Sequence, residues 1–379
     1  ALDMNTLVGE SVVRNMLYGH LTVEPYGPPM KVGYTPFGWG QVGQLPQIYK
    51  GFGVDMAYFY RGITKEQAPK SEFIWRGADG TDLLVSRFGM GARYNFYFGV
   101  WRKALYGGQT HRLHRRFFWY EDSAPFKLCG DSDRYNHGYV FGRRWPMDRA
   151  EAETAFTKLV EEEKTHFGTE HIALMHGMDT STPDIREAEI LEQCKDIAKK
   201  DGDVFYSSLP EYSKAVMKSV DAKGLPVIEG EVRHLAMNEF GFNYIANDII
   251  SARTRQKVLM GQAENALTKK AEPFGFMAWV NGAEWLTPFY DLAWRQYLKC
   301  HAHDTIGGCG IDRTEADAAS RPRAPMSLSG MIAAESLLKL QAQVDTSSLT
   351  RDGVVLTVYN PLPFERTAAA CAYVDVARE

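Results

Sequence analysis

Apolar residues at helical spacing open the chain: Leu7, Val8, Val12, Val13, Met16 and Leu17 share one face while Glu10, Arg14 and Asn15 stay polar. Gly19 and the Pro25 to Pro29 stretch stop this helix, and residues 30–34 then predict a short buried strand. The turn Thr35-Pro36-Phe37-Gly38-Trp39-Gly40 follows. A helix over 45–50 comes next, with Pro46 near its start and Gly51 and Gly53 beyond its end, then a strand over 54–60. Strand, helix, strand implies a parallel unit whose ligands sit beyond the carboxyl ends of the strands, which puts the 35–40 turn and Arg61 on one rim. A plain surface arginine is the competing reading of Arg61.

Residues 73–75 and 83–86 flank Gly77-Ala78-Asp79-Gly80, a hairpin signal. The region 89–137 has weak periodicity and is rich in Gly, Arg and Tyr, with Arg93-Tyr94-Asn95 as candidate pocket lining. Residues 150–165 predict an amphipathic helix and 171–175 a strand, so Asp179, just past that strand, joins the rim. Helices over 184–199 and 209–218 with a short strand at 204–207 continue an alternation that reads as α/β.

Past Gly224 the pattern changes. Residues 227–234 look extended, and 249–270, 287–300 and 312–340 carry long helical periodicity with no strand between them. Thr287-Pro288 predicts an N-cap and first turn, and Asp312 with Glu315 a capping box. Alternating apolar residues from Val354, with Asn360-Pro361-Leu362-Pro363, predict the start of a β-rich region. The expected fold is therefore α/β, a parallel-sheet domain over 1–224, followed by a helical bundle over 225–345 and the beginning of a β domain over 346–379.

Composition narrows the partners. A hydrophobic share of 45% supports sizeable cores, and a net charge of -4 with interspersed signs offers no footprint for nucleic acid or an anionic membrane. The five cysteines lack CxxC spacing, which argues against a disulfide framework or a cysteine zinc site and predicts a reducing, cytoplasmic setting. No apolar run is long enough to span a bilayer. Self-association into a homo-oligomer is compatible with this composition and not specified by it.

The densest chemistry lies in His301-Ala302-His303-Asp304-Thr305-Ile306-Gly307-Gly308-Cys309-Gly310, two imidazoles and a carboxylate beside permissive backbone. The structural alternative is that these residues end one helix and cap the next. Catalytic zinc takes three protein ligands, so His303 would need partners from elsewhere. Glycosidases use paired carboxyl groups, and Asp179 with Asp304 is the evident pair; an Asp after a strand also caps helices. No GxGxxG after a strand, P-loop, GxSxG or HExxH occurs, which removes support for redox and phosphoryl-transfer readings.

Four blocks together resemble glycoside hydrolase family 38, the retaining alpha-mannosidases: Gly9-Glu10-Ser11-Val12-Val13-Arg14-Asn15 with Tyr18-Gly19; Gly33 to Gly53 with Gln44-Leu45-Pro46-Gln47-Ile48; Gly177-Met178-Asp179; and His303-Asp304-Thr305-Ile306-Gly307-Gly308-Cys309. The resemblance implies an α/β domain, a three-helix bundle and β-sandwich domains around one zinc ion. It implies His303 as a zinc ligand, Asp304 as a contact to sugar hydroxyls, Asp179 as general acid/base, Arg61 as the arginine placing nucleophile and substrate, and Phe37 and Tyr94 as pocket aromatics. The family's HxD zinc motif is expected upstream of Ala1, so that either this sequence is a fragment or its metal site is incomplete. The family's nucleophile turn reads here Thr35-Pro36-Phe37-Gly38, placing Thr35 or Phe37, neither a carboxylate, at the nucleophile. A zinc-assisted hydrolase of alpha-mannosides is the implied function, and a mannoside-binding homologue without turnover is the alternative.

Overall fold

The computed structural model describes residues 3–36, 39–89, 91–106, 147–177, 186–199, 202–235, 245, 247–349 and 353–374. The chain divides into two compact units, one of Ala1–Asn5 with His20–Asn247 and the other of Thr6–Gly19 with Asp248–Glu379. Helix α1 (Gly9–Val23) thus contributes most of its length to the second unit.

The first unit is built on a five-stranded sheet of β1 (Gly33–Tyr34), β2 (Met56–Tyr58), β3 (Glu72–Arg76), β4 (Asp82–Ser86) and β5 (Val227–Glu229), in the order β1-β2-β4-β3-β5. Helix α2 (Leu45–Gly51) links β1 to β2, which pair in parallel, as the sequence pattern predicts. β4 also runs parallel to β2, but the β3–β4 hairpin is antiparallel, so the sheet is mixed rather than wholly parallel. β5 joins β3 in parallel, and the Trp75 indole donates to Gly230 O at 2.7 Å just past it. This pairing carries the first unit past the expected boundary at 224, because residues 227–232 are bonded into the sheet and to Gln41.

Helices pack around this sheet. After the π-helical turn Tyr97–Trp101 come α3 (Arg102–Tyr106), α4 (Arg149–Lys164), α5 (Arg186–Ala198) and α6 (Leu209–Ser219). Phe96, Tyr97, Val100 and Trp101 form one core with Phe156 and Leu159 of α4 and Ile190 of α5. Val216 of α6 packs with Met56, Tyr58 and Phe88, and the Tyr58 hydroxyl meets Ser213 Oγ at 2.8 Å. α4 starts at Asp148, whose carboxylate accepts from Glu151 N, and α6 at a Ser208–Glu211 capping box.

The expected strands at 171–175 and 204–207 are absent. Residues 171–177 run without a ladder partner because their neighbour is the turn at 95–97; Phe96 N donates to Met175 O at 3.1 Å, and a side chain, Asn95, serves Met175 N.

A buried acid at the head of β3 sets a pH dependence. Glu72 accepts from Gly168 N at 2.7 Å, yet its Oε1 has no partner. Burial raises its pKa above the ordinary 4.5, and the Gly168 amide only partly opposes this. The folded state then keeps a proton that the unfolded chain has lost, so stability falls as pH rises above about 4.5. Glu72→Gln is expected to match the wild type in urea unfolding at pH 4 and to exceed it at pH 7. Equal stability at both pH values would refute the assignment.

In the second unit, α7 (Thr254–Ala266), a π-helical turn at Leu267–Ala271 and α8 (Glu272–Val280) form one helical length. α9 (Thr287–Leu298) and α12 (Arg323–Gln341) pack with it around Ala263, Leu267, Trp294, Tyr297 and Ile332. Between α9 and α12 lie α10 (His303–Gly307) and α11 (Asp312–Ser320). α1 is tied in by Ser11, whose hydroxyl donates to Glu264 Oε1. That bond takes residues 6–19 out of the expected 1–224 domain.

The predicted caps differ in detail. Thr287 lies inside α9 after Leu286, and Asp312 inside α11 after Ile311, its carboxylate turned to Arg253 at 3.0 Å. Among the described residues 353–374 no strand forms, so the predicted β start is not seen there. No described helix is long and apolar enough to cross a membrane.

Candidate functional site

On the first unit, the rim beyond β1 and β2 carries the predicted turn. Thr35 N continues the ladder to Tyr58 O at 3.1 Å. Its hydroxyl donates to Gln41 Oε1 at 3.1 Å, and Gln41 Nε2 donates back to Thr35 O at 3.1 Å. Thr35 is 7% exposed and Gln41 is fully buried. Burial pushes the nearby Tyr49 phenol up to about 12, against its hydrogen bond with Thr35. Among the described residues no base is bonded to the Thr35 hydroxyl, which closes the turn through Gln41. Phe37 lies outside the described residues.

Arg61 stands three residues beyond β2 on the same rim. Its guanidinium carbon lies 4.2 Å from the Trp39 ring centroid and 5.8 Å from that of Tyr60. Its Nε is buried without an acceptor, a state that costs about 1–3 kcal/mol for a neutral donor and more for a charged one. Gly62 turns the chain sharply here at φ +88°, where a Cβ would come within 2.6 Å of Val232 O.

Tyr94 is 5% exposed, edge-on to Phe98 and 4.4 Å from the Arg93 guanidinium, so its ring is packed into protein. Asn95, grouped with it as pocket lining, is a brace instead. Its Nδ2 donates to Glu163 Oε1 at 3.0 Å and Ala173 O at 2.8 Å, and its Oδ1 accepts from Phe96 N and Met175 N. The segment so held ends at His176, whose Nε2 is 3.0 Å from Glu187 Oε1 and whose ring contacts Phe96, Tyr97 and Trp101. Asp179 lies outside the described residues.

Sequence reading missed Gln41, Glu163 and the His176–Glu187 pair. Glu163 had a signal: it falls on the Phe156, Leu159 stripe of α4, where a charge has to be buried.

On the second unit, His303 opens α10 with a side chain 25% exposed, its Nε2 3.5 Å from Asp304 Oδ1. Cys309 Sγ approaches the same oxygen at 3.1 Å; burial and then the Asp304 charge push this thiol up to about 11. The loop is braced from α7 and the residue before it. Arg253 donates to Gly308 O and Gly310 O at 3.1 Å each, and Gln256 Nε2 donates to Thr305 O at 3.0 Å. Gly308 ends α10 at φ +74° against the Arg253 side chain. His301 is buried edge-on to Tyr297 near Asn15, and burial pushes its pKa down to about 4, so it is a neutral core imidazole.

The implied zinc is not matched by these donors. Among the described residues, no group of three or more His, Cys, Asp or Glu converges to hold a metal. His303 is the one implied ligand described, and Thr35 offers a hydroxyl already bonded to Gln41.

Comparison with known proteins adds a family. The model of the glycosyl hydrolases family 38 N-terminal domain matches residues 1–231. A Halalkalibacterium halodurans protein provisionally named mannosylglycerate hydrolase is 24% identical over 367 residues, 92% of this chain and 34% of the relative. Alpha-mannosidase G of Dictyostelium discoideum is 32% identical over 89 residues, 22% of this chain and 8% of that protein. The crystal structure of an alpha-mannosidase from Enterococcus faecalis superposes with a TM-score of 0.73 at 22% identity, covering 92% of this chain and 34% of that one. A family 38 protein from the same organism gives 0.62 at 21% identity, covering 93% and 32%. These superpositions bear on the fold, and the chain spans about a third of the length of the first relative.

Proposed function

Since this chain belongs to glycosyl hydrolase family 38, we propose that it acts on alpha-mannosides and hydrolyses their glycosidic bond, with Asp179 protonating the leaving oxygen. The observation that carries the reading is Arg61, stacked on Trp39 beyond the carboxyl end of β2, where parallel strands present ligand-binding groups. The names of the curated relatives, a mannosylglycerate hydrolase and an alpha-mannosidase, support the sugar. Arg61, whose buried Nε has no acceptor within the protein, is assigned to orienting the sugar. Asp304, 67% exposed at the start of α10, is assigned to sugar hydroxyls.

Retention is the stereochemistry proposed, in keeping with the resemblance, but the covalent step has no nucleophile assigned on this chain. The turn at 35–38 holds no carboxylate, and Thr35 donates its proton to an amide rather than to a base. Zinc assistance is part of this reading: His303 would supply one ligand, and the other donors would come from outside the described residues. The Thr35–Gln41 pair favours a second reading, a mannoside-binding protein without turnover.

One assay separates the two. The full-length protein is expected to release nitrophenol from the para-nitrophenyl alpha-mannoside and not from the beta-mannoside or the alpha-glucoside. Calorimetric binding of methyl alpha-mannoside with no release would select the second reading, and neither binding nor release would sink both.

A further inference from the structure

The loop that follows His303 and Asp304 is gripped by its backbone from the start of α7. Arg253 Nε donates to Gly308 O and an Arg253 terminal nitrogen to Gly310 O, both at 3.1 Å. Gln256 Nε2 donates to Thr305 O at 3.0 Å and Lys257 Nζ to Gly307 O at 3.4 Å. Carbonyls at the end of α10 and just past it, which a helix leaves without partners of its own, are thus answered from outside. From the other side Glu315 Oε1 accepts from Gly310 N at 3.0 Å, and Glu315 Oε2 lies 3.7 Å from Arg253 Nε.

Arg253 holds this position at a conformational cost. Its backbone is left-handed, at φ +48° and ψ +50°, a region that residues with a Cβ seldom enter. Strain of that kind persists where the surrounding contacts enforce it, and it collects at functional sites. The side chain so aimed lies along Gly308, itself left-handed at φ +74°, where a Cβ would come within 3.1 Å of it.

Between the two gripped glycines stands Cys309. Its Sγ is 3.1 Å from Asp304 Oδ1, its amide donates to Asp304 O at 3.4 Å, and His303 Nε2 is 3.5 Å from the same carboxylate oxygen. The Asp304 side chain is 67% exposed, and such a side chain in water has several rotamers open to it. A thiol fixed by the loop gives the carboxylate one direction.

We propose that Arg253 is a positioning residue for Asp304: by clamping Gly308 and Gly310 it holds the Cys309 thiol on the carboxylate and sets the direction in which Asp304 meets sugar hydroxyls. This rests on the mannoside reading above, which gives Asp304 its ligand.

Two measurements on the full-length protein test it. In the first, iodoacetamide alkylates the thiols and peptide mass spectrometry reads the rate at Cys309. Arg253→Ala is expected to speed that reaction about tenfold, because a thiol released from a neighbouring carboxylate ionises more readily. In the second, calorimetry with methyl thio-alpha-mannoside, whose glycosidic sulfur resists hydrolysis, compares Arg253→Ala, Asp304→Ala and the double variant. Arg253→Ala is expected to weaken binding about tenfold when Asp304 is present and not at all once it is gone. A merely structural arginine would weaken both backgrounds alike. Cys309→Ala is expected to reproduce the loss and Cys309→Ser, which keeps a donor, to restore binding. Should Arg253→Ala fail to fold by circular dichroism, Arg253→Lys, which has no fork to span two carbonyls, takes its place in both measurements. An unchanged alkylation rate, or equal losses with and without Asp304, would overturn the proposal and leave the mannoside reading standing. Absence of thioglycoside binding by the wild type would overturn the mannoside reading itself, and Asp304 would lose its ligand with it.

Discussion

Replacing Asp179 by Asn is expected to slow hydrolysis of alkyl alpha-mannosides by about 10²–10⁴-fold, the usual worth of a general acid. The amide keeps the size and hydrogen-bonding reach of the carboxyl group but has no proton to give. Need for that proton scales with the basicity of the leaving group. The loss should therefore be large for an alkyl or sugar leaving group and small for dinitrophenolate, which departs unprotonated. The basic limb of the pH–rate profile, which reports loss of the acid's proton, should disappear with it. An equal loss on both substrates would assign Asp179 to binding or to folding. Wild-type kinetics on the alkyl mannoside would remove it from the reaction.

The second large effect concerns stability. Asn95 is 2% exposed and makes four hydrogen bonds, to Glu163, Ala173, Phe96 and Met175. Asn95→Ala would leave the Ala173 carbonyl and the Met175 amide short of a partner and deprive the buried Glu163 carboxylate of a donor. At about 1–3 kcal/mol for each unsatisfied buried group, a loss of roughly 3 kcal/mol or more is expected in urea unfolding. Asn95→Asp should be at least as harmful, since it sets a second carboxylate against Glu163. A loss below about 1 kcal/mol would show that water replaces the amide at this site. The segment concerned leads toward Asp179 in the sequence, so the Ala variant is also expected to lower activity at temperatures well below its melting point.

The parts of this protein that could be read in advance are those whose cause is local. The parallel pairing of β1 and β2 followed from Pro46, Gly51 and Gly53 around one short helix, and the β3–β4 hairpin from its Asp-Gly turn. Long apolar periodicity likewise gave α7, α9 and α12. Strand 171–175 was misread because its apolar residues do serve a core, but the group that bonds its backbone is a side chain, Asn95, about 80 residues earlier. The docking of β5 beside β3 has no local signature either. At the site, Arg61 was legible from its place after a strand, whereas its stacking on Trp39 depends on how a turn folds over a neighbouring rim. Thr35 could be recognised in sequence as an unusual residue for its position; only the structure shows its proton committed to Gln41.

The pairing of β3 with β5 also bears on the order in which this protein comes together. Ile74 N donates to Pro226 O at 2.9 Å and Gly230 N to Arg76 O at 3.0 Å, so the closing strand arrives roughly 150 residues after its neighbour, behind the whole helical layer. Contacts that distant in sequence form late, because the intervening chain must be ordered before the strand can dock. A nascent chain released before residue 230 would present β3 as an open edge, with Ile74 and Trp75 unprotected on it. Synthesis through residue 230 is thus the point from which β3 can be covered, with β5 taking its place as the outer strand.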